Sequence, residues 1–278
     1  MNIFLTGATG FIGKNFLKVA LKEGHFIFAP TRKKKNKKIK NLKWLKGGFE
    51  KNWKKELKRS DILVHMAAAG VNDTKTAPEE IFKVNVFRSL DLLNNAIESN
   101  CLKWLIVGSS SEYGITAKKK KKLSRFAKTQ PISIYAKSKN IFSNLSIDLA
   151  KKFNCKCRIM RLFPVYGPGE KKHRLWPSLI KAAKSRKNFY VKNPFERRDF
   201  SHINHVSNIL LNAIDFKRKN NKFPQVWHAS ENKPLTVKAF TTKVWKQYKA
   251  KGKLYFKNDK HNNNLNHISD RNSVWKIQ

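Results

Sequence analysis

Gly7-Ala8-Thr9-Gly10-Phe11-Ile12-Gly13 is the stretch that decides the fold of this chain. It follows Asn2–Leu5, a short apolar run with strand character, and it opens Phe11–Lys22, where apolar residues recur at helical spacing. Three glycines between a strand and a helix let the backbone turn sharply and approach a ligand closely. The helix start supplies unpaired N–H groups and the positive end of a dipole, which together suit a pyrophosphate. The strand–turn–helix context lifts this pattern above an isolated glycine motif.

Outward from the turn, strand and helix signals alternate. Strands are expected at His25–Ala29, Leu42–Leu45, Asp61–His65, Leu102–Val107 and Lys156–Leu162, and helices at Trp53–Lys58, Glu79–Ser99 and Ser133–Phe153. The helix over Glu79–Ser99 carries the apolar stripe Ile81, Val84, Phe87, Leu90, Leu93 and Ile97. Such alternation predicts an α/β fold, a doubly wound parallel sheet covered on both faces, over residues 1–163. Beyond Pro164 the prolines at 168, 177, 194, 224 and 234 break the regularity. Residues 164–278 are therefore expected to form a smaller substrate-binding lobe, intertwined with the first part.

The chain has 278 residues, 40% of them hydrophobic, with 19 Phe and 7 Trp, enough for a substantial core and against disorder. No apolar run approaches the ~18 residues that span a bilayer, and Met1–Leu5 runs directly into the glycine turn, so neither a membrane span nor a leader is expected. Three cysteines, Cys101, Cys155 and Cys157, fit reduced thiols in a cytoplasm. His25, His65, His202, His205 and His228 show no metal-ligand spacing, and no metal is expected. Sixty Lys and Arg against 18 Asp and Glu give a formal charge of +42. The charge is spread along the chain, and its dense runs, Lys33–Lys38 and Lys118–Lys122, fall in expected loops. A solvated surface with incidental attraction for polyanions, nucleic acid included, accounts for it.

Two further patterns carry chemistry. Tyr135 and Lys139 lie four residues apart on one expected helix, hence on one face. A neighbouring ammonium favours the phenolate, so Tyr135 is suited to exchanging a proton with a substrate oxygen. The loop Gly108-Ser109-Ser110-Ser111-Glu112-Tyr113-Gly114 follows the strand Leu102–Val107, where a doubly wound sheet places its ligands. A serine hydroxyl there can hold a substrate oxygen beside the tyrosine. The second strand ends in Ala29-Pro30-Thr31-Arg32-Lys33 with no acidic residue to bind a ribose hydroxyl. Arg32 can instead pair with a 2′-phosphate, which predicts NADP, with NAD as the alternative.

Together these pieces resemble the extended short-chain dehydrogenase/reductase family, the NAD-dependent epimerase/dehydratase type. The resemblance covers roughly residues 1–240. It includes the G-x-x-G-x-x-G turn, His65-Met66-Ala67-Ala68, Asn85, Arg161 to Gly169 and Arg198-Asp199-Phe200-Ser201-His202-Ile203. It implies that Gly7, Thr9, Gly10, Phe11, Ile12 and Gly13, with Arg32, Ala67 and Ala68, hold the cofactor. It implies Ser109, Tyr135 and Lys139 as the catalytic set, with Tyr135 and Lys139 also against the cofactor. Ser109, Ser110, Ser111 and Arg198 would meet the substrate, Arg198 at its diphosphate. A homodimer built from two helices, one carrying Tyr135, is also implied. The chain departs from the family pattern at Pro164, where an Asn is usual, at His205 and near Gly48, two places where an acidic residue is usual.

Family dehydratases carry an acid/base pair directly after the catalytic hydroxyl, whereas this chain has Ser110 and Ser111 there. Dehydration is thus disfavoured. The expected reaction is NADP(H)-dependent reduction of a nucleotide-linked 4-keto-6-deoxy sugar. The alternatives are an NAD-dependent sugar-nucleotide 4-epimerase and a non-catalytic cofactor- or polyanion-binding protein.

Overall fold

The computed structural model describes residues 1–33, 38–71, 75–217, 222–257 and 266–277, so most of the basic run Lys33–Lys38 lies outside the described residues. The chain opens with β1 (Asn2–Thr6), α1 (Phe11–Lys22), β2 (Phe26–Thr31), β3 (Leu42–Lys46), α2 (Lys54–Lys58) and β4 (Ile62–His65). It continues with α3 (Pro78–Phe82), α4 (Arg88–Glu98), β5 (Lys103–Ser109), α5 (Ile115–Lys119), α6 (Ile134–Lys152) and β6 (Lys156–Leu162). The remainder comprises β7 (Val165–Tyr166), α7 (Leu175–Lys184), β8 (Phe189–Lys192), β9 (Arg197–Arg198), β10 (Ser201–His202) and α8 (Ile203–Asn212). Last come β11 (Gln225–Ala229), β12 (Leu235–Thr236), α9 (Val237–Gln247) and β13 (Leu254–Lys257).

Seven strands form one sheet in the order β11-β6-β5-β4-β1-β2-β3, every neighbouring pair parallel. The order reverses between β1 and β4, and a doubly wound sheet opens its ligand crevice at that switch point. Alternation along the strands feeds two cores. Ile3 and Leu5 of β1 face one, with Ile62, Val64 and residues of α1 and α8; Phe4 faces the other, with Leu63, Trp104 and residues of α4 and α6. The two faces of the sheet are thereby sealed, as parallel strands require. The smaller part has its own core, where α7, β8 and α9 bring together Leu179, Val191, Phe240 and Val244. From this part the chain returns to the sheet through α8 and β11.

The expected helix over Glu79–Ser99 is interrupted. Lys83–Phe87 forms a π-helical turn between α3 and α4, an insertion that re-aims side chains and is frequent at functional sites. Here it buries Asn85 and lets Ser89 Oγ donate to Val84 O at 2.9 Å. The lysines of Lys118–Lys122 are exposed, as a solvated run should be. All three cysteines are buried free thiols. Among the described residues no helix is long and apolar enough to cross a membrane.

Two histidines sit in the polar interior. Burial holds His65 and His228 down to about 3, so both stay neutral near neutral pH. The unfolded chain, with histidines near their usual value, binds more protons than the native one below about 6.5. Stability is therefore expected to fall as pH drops from about 7 to about 5, and the slope to shrink in His65→Asn. Thermal melts across that range check this; a midpoint independent of pH would contradict it.

Candidate functional site

β1 and β4 end at the same edge of the sheet, and the glycine turn lies between them. Gly7 has φ +71, and a Cβ there would stand 2.7 Å from Ala67 N. Only glycine lets the two strand ends come this close. Thr6 Oγ1 fixes the approach by accepting from Met66 N and Ala67 N, both at 3.2 Å, and it lies 2.8 Å from His65 Nδ1. Gly13 serves α1, because a Cβ there would stand 2.1 Å from Gly7 O. Gly10 caps α1 without a side-chain hydrogen bond, and no acidic residue occupies the first turn. A glycine-lined cradle facing a helix start with no side-chain cap and no acidic residue in its first turn fits a dinucleotide pyrophosphate. Ala67 and Ala68 border this crevice directly after β4, and Arg32 is exposed just past the end of β2.

Asn85 links the crevice to α6. Its Oδ1 accepts from Ala69 N at 2.8 Å, and its Nδ2 donates to Ala69 O at 3.1 Å and to Ser138 Oγ at 3.0 Å. Ser138 Oγ in turn donates to Tyr135 O at 2.8 Å. Ser133 starts α6 as its N-cap, accepting from Ala136 N at 3.2 Å, which satisfies one of the orphan donors of a helix start.

On this helix Tyr135 and Lys139 stand one turn apart. The Ser109 side chain lies close enough to the Tyr135 phenol to favour its ionised form. Burial is the main force that pushes this phenol up to about 12, helped by the Glu112 charge and opposed by the nearby Ser109 side chain. Lys139 is buried, with its Nζ 5.9 Å from the Phe142 ring centroid. Burial brings its ammonium down to about 8, while Glu112 works against the fall. The structure thus brings Ser109, Tyr135 and Lys139 to one place at the carboxyl edge of the sheet.

The serine loop forms a short 3₁₀ turn over Ser110–Tyr113 with Ser109 as its cap. Ser111 N donates to Ser109 Oγ at 3.2 Å. Ser110 Oγ meets His267 Nδ1 at 3.1 Å, and His267 is bridged to Arg198 in β9. Arg198 therefore lies beside the serine loop through His267. Its guanidinium is gripped on two nitrogens by Glu196, Nε to Oε1 at 3.1 Å and Nη2 to Oε2 at 2.8 Å.

Four residues here make contacts that sequence reading does not assign: Glu112, Arg161, Glu196 and His267. Glu112 and Arg161 form a buried pair at 2.9 Å. Arg161 left one signal, a cation inside a strand covered on both faces, which demands a partner. His267 left none, since its partner Ser110 is 157 residues away.

The sequence profile of the NAD dependent epimerase/dehydratase family matches residues 3–226. Among curated relatives, a GDP-6-deoxy-D-talose 4-dehydrogenase of Aggregatibacter actinomycetemcomitans is 26% identical over 219 residues, 77% of this chain and 70% of the relative. A UDP-glucose 4-epimerase of Vibrio cholerae is 26% identical over 283 residues, 93% of this chain and 83% of the relative. The solved UDP-glucose 4-epimerase of Thermus thermophilus in complex with NAD superposes with a TM-score of 0.82 at 16% identity, covering 100% of this chain and 95% of that one.

Two outcomes are expected. Gly13→Ala, which forces a Cβ onto the Gly7 carbonyl, should weaken NAD(H) binding by at least about tenfold, read by quenching of protein fluorescence. Unchanged affinity would contradict the cradle. Lys139 should lose its proton as pH rises through about 8. If its ammonium is what serves Tyr135, turnover falls above that pH, and Lys139→Arg, always charged, removes that limb. A limb unchanged in Lys139→Arg would assign it to another group.

Proposed function

The chain belongs to the NAD dependent epimerase/dehydratase family, and on that premise we propose that it is an NADP(H)-dependent reductase of a nucleotide-linked 4-keto-6-deoxy sugar. The observation that carries the reading is the convergence of Ser109, Tyr135 and Lys139, the last one helical turn from Tyr135, beside the glycine cradle. A nicotinamide cofactor, when bound, supplies or accepts the hydride. Everything else falls to the chain's own residues.

Gly7, Gly10 and Gly13 hold the pyrophosphate against the start of α1, with Thr9, Phe11 and Ile12 completing the turn. Ala67 and Ala68 line the run beyond it. Ser109 orients the sugar's C4 oxygen, with Ser110 and Ser111 close by. Tyr135 gives its proton to that oxygen as the carbonyl is reduced. Lys139 stabilises the phenolate left behind and holds the nicotinamide ribose. A buried phenol near 12 makes this help necessary. Arg198, pre-oriented by Glu196, meets the substrate diphosphate.

Arg32 supports NADP over NAD, because a guanidinium without a competing acid at the end of β2 suits a 2′-phosphate. One observation favours a second reading. The Vibrio cholerae relative, which matches 93% of this chain, is a UDP-glucose 4-epimerase. Such an enzyme would retain NAD, whereas a reductase exchanges its cofactor each turnover. We further place the protein in the cytoplasm, where its three buried thiols stay reduced. We assign it a homodimer built from α6 and the helical stretch that leads into α4, where Ile134 and Ile141 of α6 and Phe87 at the end of the π turn are exposed.

Binding of NADPH and NADH at two salt concentrations separates the readings. The reductase predicts NADPH preferred by at least about tenfold, a preference that survives moderate salt and is lost in Arg32→Ala. Oxidation of NADPH should then follow addition of a nucleotide-linked 4-keto-6-deoxyhexose. NAD retained through purification, with interconversion of UDP-glucose and UDP-galactose, would establish the epimerase instead. Binding of neither cofactor would overturn both and leave a polyanion-binding protein.

A further inference from the structure

Behind the serine loop runs a buried chain of polar groups. Glu112, fully buried, accepts from Ser109 N at 2.7 Å with Oε1 and from Arg161 Nε at 2.9 Å with Oε2. Its carboxylate covers Gly108, where a Cβ would stand 2.7 Å from Oε1. Arg161 Nη1 donates to the Tyr113 hydroxyl at 3.0 Å. That hydroxyl lies against His228 Nε2, and His228 Nδ1 lies 2.7 Å from Ser269 Oγ. Ser269 Oγ donates to Asp270 O at 3.1 Å.

Only one assignment of protons satisfies every link. Arginine can only donate, so the Tyr113 oxygen accepts from Arg161 and spends its own proton on His228 Nε2. His228, kept neutral by burial, then carries its proton on Nδ1 and donates to Ser269. Ser269 passes its proton to a backbone carbonyl. Each hydroxyl is used once as donor and once as acceptor, and a break anywhere strands a buried polar group.

The far end of the chain is the C-terminal segment, which docks on three sides. Asn266 N donates to Ala117 O at 3.0 Å, Asp270 N to Leu123 O at 2.8 Å and Trp275 N to His228 O at 2.9 Å. We propose that Glu112 is a positioning residue for Ser109, and that the chain through Arg161, Tyr113 and His228 to Ser269 makes the Ser109 position conditional on the docked C-terminal segment. This rests on the reading of Ser109 as the substrate-orienting hydroxyl, but its first test does not.

That test is amide hydrogen exchange of the full-length protein, comparing the parent with Ser269→Ala and Tyr113→Phe. Exchange over residues 108–114 should quicken by about tenfold or more in both variants, while residues 5–15 at the glycine turn keep the parent rate. Unchanged exchange over 108–114 in Ser269→Ala overturns the coupling. The second test is kinetic, with NADPH and a nucleotide-linked 4-keto-6-deoxyhexose, or with UDP-glucose if that is turned over instead. Glu112→Gln should lower kcat by about tenfold with KM within about threefold, yet cost less than about twofold in a Ser109→Ala background. An equal loss in both backgrounds would show that Glu112 acts on general stability and overturn its positioning role. Should Glu112→Gln fail to fold, Tyr113→Phe carries the same cycle. If Ser109→Ala alone leaves turnover intact, the functional assignment of Ser109 fails, while the exchange result still decides the coupling.

Discussion

Everything at the carboxyl edge of the sheet depends on the close approach of two backbones, Gly7 after β1 and Ala67 after β4. A methyl group at position 7 would collide with the Ala67 nitrogen. The Thr6 hydroxyl draws the same two strand ends together. From this contact a hydrogen-bonded line runs from the loop after β4 to α6, through Ala69, Asn85, Ser138 and the Tyr135 carbonyl. The glycine turn and the helix that carries Tyr135 are thus parts of one construction.

The site balances burial against charge. Tyr135 and Lys139 are both desolvated, the phenol pushed up and the ammonium down, so each resists taking on its charged form. Glu112 adds a buried negative charge that favours the protonated form of each. Arg161 compensates that charge at 2.9 Å, so the pair costs less to bury than either ion alone. Two neutral histidines flank the site, His65 linked to Thr6 and Ser89, and His228 linked to Tyr113 and Ser269. Both ring nitrogens of each are engaged in these contacts.

The legible parts of the sequence were those whose cause is local. The glycine turn, the alternating strands and the helix that carries Tyr135 each follow from neighbours a few residues away, and the structure has them where those neighbours predict. The π turn at Lys83–Phe87 was not legible, because it exists to let Asn85 reach Ala69, 16 residues back. Glu112 has no cationic partner among its sequence neighbours; its use as a partner for Arg161 needed β5 and β6 side by side. The pairing of Arg198 with Glu196 is local in sequence but depends on the path of the chain into β9. His267 became part of the site only through the folding of the C-terminal segment onto the serine loop.

The most direct test is the Tyr135→Phe variant, loaded with reduced cofactor and mixed with a nucleotide-linked 4-keto-6-deoxyhexose while the near-ultraviolet absorbance of the reduced nicotinamide is followed. Cofactor affinity should stay within about threefold of the parent, and the rate of absorbance loss should fall by about 10²–10⁴-fold, the worth of a positioned general acid. A Tyr135→Phe protein that consumed the reduced cofactor as fast as the parent would contradict the role given to this tyrosine.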